Sequence, residues 1–205
     1  MQQKSLVLFD FDGTLTRRDS LLVFLWFAVP GWRLLAGVFK LAFNYLGMIW
    51  SGGWSNGKAK EQLFSVFFKG RSQATLEHLG STFHQQHLPK ICRTEMLAIL
   101  RAHKKNQAAV FLVSASASVW LTPFCQSEDI GLICTELAFE AGVFTGKFAT
   151  PNCNGHEKAR RIRAEIDLSL YEKIIAYGNS AGDAEMLALA NEAWMLRGNN
   201  LVNVS

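Results

Sequence analysis

A chain of 205 residues can bury a full core as one domain with an insertion, and leaves little for a second independent domain. Hydrophobic residues make up 49% of it and charged residues 19%, which excludes a disordered chain. The net charge of +4 is spread over small groups such as Arg17-Arg18, Lys104-Lys105 and Arg160-Arg161-Arg163, so no basic block points to nucleic acid.

Four cysteines (Cys92, Cys125, Cys134 and Cys153) form no C-x-x-C pair, which fits a reducing, cytoplasmic compartment. Residues 1–5 are polar and lead straight into an apolar run, which predicts no cleavable signal peptide. That run, 6–11 (LVLFDF), ends in carboxylates and Gly13, the pattern of a buried parallel strand opening into a loop.

The next such run is 108–113. The stretch between is too long for a simple crossover and has helical periodicity without a convincing strand. It predicts an inserted all-helical cap over 17–90, with the core built from 1–16 and 91–205.

Between Ser20 and Gly57 the only charges are Arg33 and Lys40, and Trp26, Trp32, Trp50 and Trp54 lie in or beside this segment. Residues 21–50 are interrupted by Pro30-Gly31, Arg33 and Lys40, short of the uninterrupted run of about 20 apolar residues that a spanning helix needs. Read as one helix, 32–51 gathers Arg33, Gly37, Lys40, Asn44, Gly47 and Ser51 into a narrow polar or small stripe. The rest of its circumference is apolar, far wider than the stripe of about 100° with which a surface helix faces its core. Such a helix needs a cover: the rest of the cap, a second subunit, or the bilayer interface, giving peripheral membrane contact.

Thr94–Lys105 begins with a capping residue and an acid and ends in bases, a helix that returns the chain to the core. Within 132–148, alternation around Ala141-Gly142 predicts a hairpin. Residues 155–166 read as a helix, 173–177 as a strand, 183–191 as a helix and 193–196 as a strand. This alternation implies an α/β fold, a doubly wound Rossmann-like parallel sheet that binds ligands at the carboxyl ends of its strands.

Polar signals gather at those ends. Asp10 and Asp12 lie two residues apart at the end of the first strand, on one side of an extended chain. Ser114 follows the second strand, Lys158 opens the 155–166 helix, and Gly178-Asn179-Ser180-Ala181-Gly182-Asp183 follows the 173–177 strand. Each has a bland reading: an Asp-Gly turn, a strand-end serine, an exposed helix lysine, a helix-capping aspartate. Their common placement favours a shared site.

The order DFDGT, strand-terminal Ser, Lys and GNSAGD resembles the haloacid dehalogenase-like superfamily over nearly the whole chain. The large insertion after the first motif is similar to its phosphoserine phosphatase subfamily. The apolar cap and the Asn154-Gly155-His156-Glu157-Lys158 context look most like the bacterial phosphatidylglycerophosphatase branch. The resemblance implies a phosphomonoesterase acting on a phosphorylated small molecule or a lipid headgroup, the latter at the inner face of the membrane.

A phosphate monoester dianion repels an attacking carboxylate, so a divalent ion is needed, and Mg2+ suits an all-oxygen site. By resemblance, Asp10 is the nucleophile and a metal ligand. Asp12 is the acid and base, and also ligates the metal through its backbone carbonyl. Ser114 and Lys158 bind phosphate, with Lys158 in the catalytic set. Asp183 and Asn179 complete the metal site, Asn179 standing where the family usually has Asp.

Asp19 either contacts substrate, as in the phosphoserine-specific relatives, or caps the following helix. His84, His87, Cys125 and Cys153 are read as non-catalytic, and His156 as at most a substrate contact. Two other functions stay open: a phosphatase of a small metabolite such as phosphoserine, and a non-catalytic phosphate-binding module. The oligomeric state is not readable.

Overall fold

The computed structural model describes residues 4–50 and 56–205. The first strand, β1 (Ser5–Phe9), is buried along nearly its whole length, because its alternate residues face apolar layers on both sides of a sheet. It lies between β2 (Ala109–Ala117) and β6 (Lys173–Gly178), parallel to both. With β3 (Gly131–Thr135), β7 (Glu192–Arg197) and β8 (Asn200–Asn203) they form a six-stranded sheet ordered β3-β2-β1-β6-β7-β8, in which only the edge strand β8 is antiparallel.

Between β1 and β2 run α1 (Ser20–Ala28), α2 (Gly31–Trp50), α3 (Asn56–Phe68), α4 (Gln73–Gln86), the short α5 (Leu88–Ile91) and α6 (Thr94–Lys105). Among the described residues this stretch contains no strand; Thr16 and Ser72 make isolated bridges to Cys92 and Val143. The hairpin turns at Ala141-Gly142 as expected, between β4 (Leu137–Glu140) and β5 (Val143–Phe148). Helix α8 is His156–Glu165.

Three expectations need correction. The second strand runs on through Ser114 to Ala117, so Ser114 lies inside it, opposite Cys134. The 183–191 helix is only one short turn, α9 (Ala184–Leu187), after a tight turn at Ala181–Asp183. Helix α7 (Ser118–Glu128), β3 and β8 were not foreseen: α7 carries Pro123 inside it, and β3 and β8 are too short for a clear period.

Helix α7 joins core to cap. Its Trp120 is fully buried, stacked on Phe24 of α1 (centroids 4.6 Å apart) and Phe64 of α3 (6.1 Å) and meeting Phe83 of α4 edge-on (6.2 Å). One apolar cluster therefore runs from Phe9 and Leu112 of the sheet into α1, α3 and α4. The described parts of those helices cover one another and α7.

The start of α2 is different. Gly37 is buried, with Phe67 of α3 so close that a Cβ at 37 would lie 2.2 Å from its ring. Trp32, Leu35, Val38 and Phe39 are exposed, Trp32 at 67% and Phe39 at 75%. Here the small-residue side packs inward and the apolar side faces out. Ser51 and Trp54 lie outside the described residues, as do the side chains of Lys40, Asn44, Gly47 and Trp50. Among the described residues no single helix is long and apolar enough to cross a membrane; α1 and the first half of α2 pass that test only as a pair bent by 119°.

The contact of α4 with α7 yields a stability test. A Cβ at Gly80 would lie 1.8 Å from the carbonyl oxygen of Val119. Helix propensity alone favours Gly80→Ala by up to about 1 kcal/mol, whereas the backbone clash predicts a net loss of about 1–3 kcal/mol. Urea denaturation decides between them, and an unchanged or raised midpoint contradicts the packing.

Candidate active site

Parallel register builds the site. Phe9 of β1 lies opposite Leu112 of β2 and Tyr177 of β6, so past the end of β1 Asp10 comes to lie beside Ser114, still within β2, and the loop that follows β6. The Asp10 backbone N–H donates to the Tyr177 carbonyl (2.9 Å), fixing where its side chain leaves the sheet. The chain then turns sharply through Gly13, whose φ of +85° suits glycine. A Cβ at 13 would also lie 2.1 Å from the Asn179 amide, so any larger residue would push the two motifs apart.

Lys158, fully buried on α8, donates through Nζ to Asp10 Oδ1 and to Asp183 Oδ1, both at 2.6 Å. Burial opposes its charge, but the two carboxylates outweigh burial and hold its pKa above the usual lysine value. Burial raises Asp10 to about 6 despite Lys158, with Asp183 and Asp12 adding repulsion. Burial also acts on Asp183, yet Lys158 and the loop amides bring it below the usual carboxylate range. Two carboxylates against one ammonium leave the buried cluster with excess negative charge, a setting that draws in a cation.

Asp183 Oδ2 accepts from the Asn179 and Ser180 amides (3.1 and 3.0 Å) and from Ser180 Oγ (2.9 Å). Both of its oxygens are therefore engaged, and it anchors the loop as well as Lys158. Asp12 turns the other way. Its Oδ1 accepts from the Ser20 backbone N–H at 2.7 Å and its Oδ2 from Ser116 Oγ. Burial raises its pKa, and Ser116 and Ser20 partly offset that.

Ser114 is buried and its Oγ accepts from the Ser116 N–H at 3.1 Å. Asp19 is exposed and caps α1, accepting from the Leu22 N–H at 3.2 Å; it reaches the site only as a charge that raises Asp12. The structure thus brings Asp10, Asp12, Ser114, Lys158, Asn179 and Asp183 to one end of the sheet and leaves Asp19 at the helix start.

Sequence reasoning missed Thr14, Ser20 and Ser116. Thr14 Oγ1 donates to Asp10 Oδ2 at 3.0 Å, and the Ser20 hydroxyl accepts from Trp120 Nε1 at 3.0 Å and lies 3.4 Å from Ser116 Oγ. Thr14 stood within the DFDGT run without a role. Ser116 was signalled by its spacing of two from Ser114, on the same side of an extended chain.

The oxygens available for a metal are hard ones. The Asn179 amide can approach Asp10 Oδ2 at 3.3 Å and the Asp12 carbonyl at 3.1 Å, donating to both when its nitrogen faces them. With its oxygen turned there instead, three oxygens converge on one point beside the negatively charged cluster. That donor set fits Mg2+, which accepts carboxylate and carbonyl oxygens and completes its octahedron with water. Among the described residues no group of three or more acidic, histidine or cysteine side chains is arranged to hold a metal ion, so this donor set relies on the Asp12 carbonyl and the Asn179 amide beside Asp10.

Comparison with known proteins bears on the fold and the family. A model of the haloacid dehalogenase-like hydrolase family matches residues 7–188. Protein CicA of Caulobacter vibrioides is 33% identical over 190 residues, covering 91% of this chain and 83% of that protein. Among solved structures, a protein of unknown function from Bordetella pertussis Tohama I superposes with a TM-score of 0.74 at 19% identity, over 93% of this chain and 89% of its own. A phosphoserine phosphatase trapped as a phospho-aspartyl intermediate analogue superposes with a TM-score of 0.62 at 17% identity, over 93% and 85%. These two likenesses concern the fold; the family-model match and the CicA identity make the chain a member of the haloacid dehalogenase-like hydrolase family.

Proposed function

We propose that this chain is a Mg2+-dependent phosphomonoester hydrolase that works through an aspartyl-phosphate on Asp10, with 17–90 as the cap over a core of 1–16 and 91–205. The observation that carries this reading is the buried Asp10–Lys158–Asp183 cluster, in which one Asp10 oxygen is held by Lys158 and the other by Thr14. Burial and these contacts fix a carboxylate in one orientation, as a nucleophile requires.

Asp10 attacks phosphorus, the bond from phosphorus to the leaving oxygen breaks, and Asp12 gives its proton to that oxygen. Asp12 then takes a proton from water as the water attacks phosphorus and the Asp10 carboxylate departs. Lys158 and the Ser114 hydroxyl bind the phosphate oxygens. Bound by Asp10, the Asp12 carbonyl and Asn179, a magnesium ion would supply the charge neutralisation that lets one anion attack another. Asp183 would reach it through water, its own oxygens already being engaged.

The raised pKa of Asp12 suits a carboxyl group that must hold a proton before giving it up. A phosphoserine-like small metabolite and a lipid headgroup share the same reacting phosphate. The exposed Trp26, Trp32, Leu35, Val38 and Phe39 favour the lipid. From residue 20 to residue 60 the sequence has no Asp or Glu, and it has Arg33, Lys40, Lys58 and Lys60. Arg33 lies over the Trp32 ring at 5.0 Å. An apolar, tryptophan-bearing surface with Arg33 beside it is complementary to an anionic bilayer at its inner face.

With Mg2+ the protein should hydrolyse a generic aryl phosphate, and chelation should stop it. Asp10→Asn should lower kcat by more than about a thousandfold while leaving the thermal unfolding midpoint nearly unchanged. Full activity in the variant, or turnover in chelator, contradicts the mechanism, and a protein that binds phosphate without turning over any monoester is the non-catalytic module.

For Asn179, magnesium titration of activity should give a lower midpoint in Asn179→Asp, which restores a charged ligand, and a higher one in Asn179→Leu. One midpoint for all three removes Asn179 from the metal shell.

Flotation with anionic liposomes should carry the protein upward at low salt and keep it there at high salt, since inserted apolar side chains are not screened. Loss of binding at high salt would leave a purely electrostatic contact. Failure to float at all assigns the apolar face to a second subunit or to the cap.

A further inference from the structure

Beyond the reacting phosphate, a cleft of about 360 Å³ opens at the seam of cap and core, lined by Ala59, Lys60, Leu63, Ala115, Asn152 and Asn154. Its floor is the end of β2. The pairing of β2 with β3 shifts between Ser114 and Ala117, which takes Ala115 out of the ladder. The freed Ala115 carbonyl accepts from Thr135 Oγ1 (3.1 Å) on the core side and from Lys60 Nζ (3.2 Å) on the cap side.

Among the described residues that line this cleft, Lys60 is the cation and none is acidic. Its ammonium meets only a neutral carbonyl, and among the described residues no carboxylate pairs with it. Thr135 Oγ1, whose proton goes to the Ala115 carbonyl, lies 3.5 Å from Asn152 Oδ1, and the Asn152 amide brings N–H donors to the cleft wall. Ala59 and Leu63 supply an apolar wall. The cleft therefore offers a positive charge and amide donors beside a short aliphatic surface.

Its position relates it to the chemistry. Ser116, next to Ala115, donates to Asp12, the group that protonates the leaving oxygen in the mechanism above. In-line displacement puts the leaving oxygen on the Asp12 side, opposite Asp10. The alcohol carrying that oxygen then extends past Ser116 and Ala115 towards Lys60.

We infer that this cleft binds the leaving-group end of the substrate and that Lys60 recognises an anionic substituent on it, a carboxylate or a second phosphate. The inference rests on the phosphomonoesterase reading and goes further, because it selects among monoesters: alcohols with a second negative charge are preferred to neutral ones of similar size. A free anionic metabolite and the phosphodiester of a lipid headgroup carry the same recognised chemistry.

The test compares 3-phosphoglycerate with glycerol 3-phosphate, whose alcohols differ by a carboxylate, and adds glycerophosphoglycerol phosphate as the headgroup without acyl chains. Wild type should favour the two anionic alcohols in kcat/KM. A charge-assisted hydrogen bond is worth enough that Lys60→Ala should lower the ratio of anionic to neutral kcat/KM by roughly 10- to 100-fold. Lys60→Arg should keep most of that ratio and Lys60→Glu should reverse it.

A larger effect on 3-phosphoglycerate identifies a carboxylate metabolite as the source, and a larger effect on the phosphodiester identifies the headgroup. A ratio that does not change in Lys60→Ala overturns the inference even if both proteins are active. If wild type turns over neither these three nor an aryl phosphate, the phosphatase reading fails. Calorimetric binding of the same compounds to wild type and Lys60→Ala then decides the role of Lys60 without turnover: selective weakening of the anionic ligands upholds it, and equal binding overturns it.

Discussion

The structure depends most on one ammonium group between two carboxylates. Lys158 sits on the first helix after the β4–β5 hairpin, Asp10 ends the central strand, and Asp183 closes the loop after β6. Their two 2.6 Å contacts pair the buried charges of these distant segments, with Thr14 and the Asn179–Ser180 amides bonding the remaining carboxylate oxygens. Removing the ammonium from such a buried cluster costs about 3–5 kcal/mol, because the carboxylates left behind have lost both water and their counter-ion, whereas neutralising Asp10 still leaves Lys158 matched with Asp183. The same arrangement leaves one negative charge uncompensated at the sheet end, where the Asp12 carbonyl and the Asn179 amide already point. Folding and a demand for a cation thus have a common origin.

The second constraint is the seam between core and cap. Trp120 fills it with aromatic surface and donates its N–H to Ser20, whose backbone in turn holds Asp12. A core helix, a cap helix and an acidic side chain of the site are therefore linked by successive contacts. Helix α2 lies outside this arrangement. Its first turns pack through Gly37 and turn Trp32 and Phe39 outward, the reverse of a helix that serves a protein core.

Much of this was legible in the sequence. Continuous apolar runs gave β1, β2, β6 and β7, since a strand buried on both faces needs no alternation. Helix α6 was read with its observed bounds because its charges follow the helix dipole. Asp10, Asp12, Ser114, Lys158, Asn179 and Asp183, which the structure brings to one end of the sheet, could be singled out because a doubly wound sheet gathers polar residues at strand ends. Helix α7 was not found, as Pro123 and a weak apolar period hid it, and neither was the β2 irregularity that frees Ala115. The direction of the Asp12 carboxyl group, Ser116 and the reach of Lys60 depend on contacts between segments far apart in sequence, and single-chain periodicity carries none of that.

The central claim is that the buried, doubly held Asp10 carboxylate becomes covalently phosphorylated. Acid quenching during turnover, followed by borohydride reduction and peptide mass spectrometry, reads this directly, because an acyl phosphate is reduced to the alcohol and a free carboxylate is not. The account predicts a homoserine side chain at position 10, dependent on both substrate and Mg2+. Reduction at another carboxylate, or none during demonstrable turnover, would contradict it.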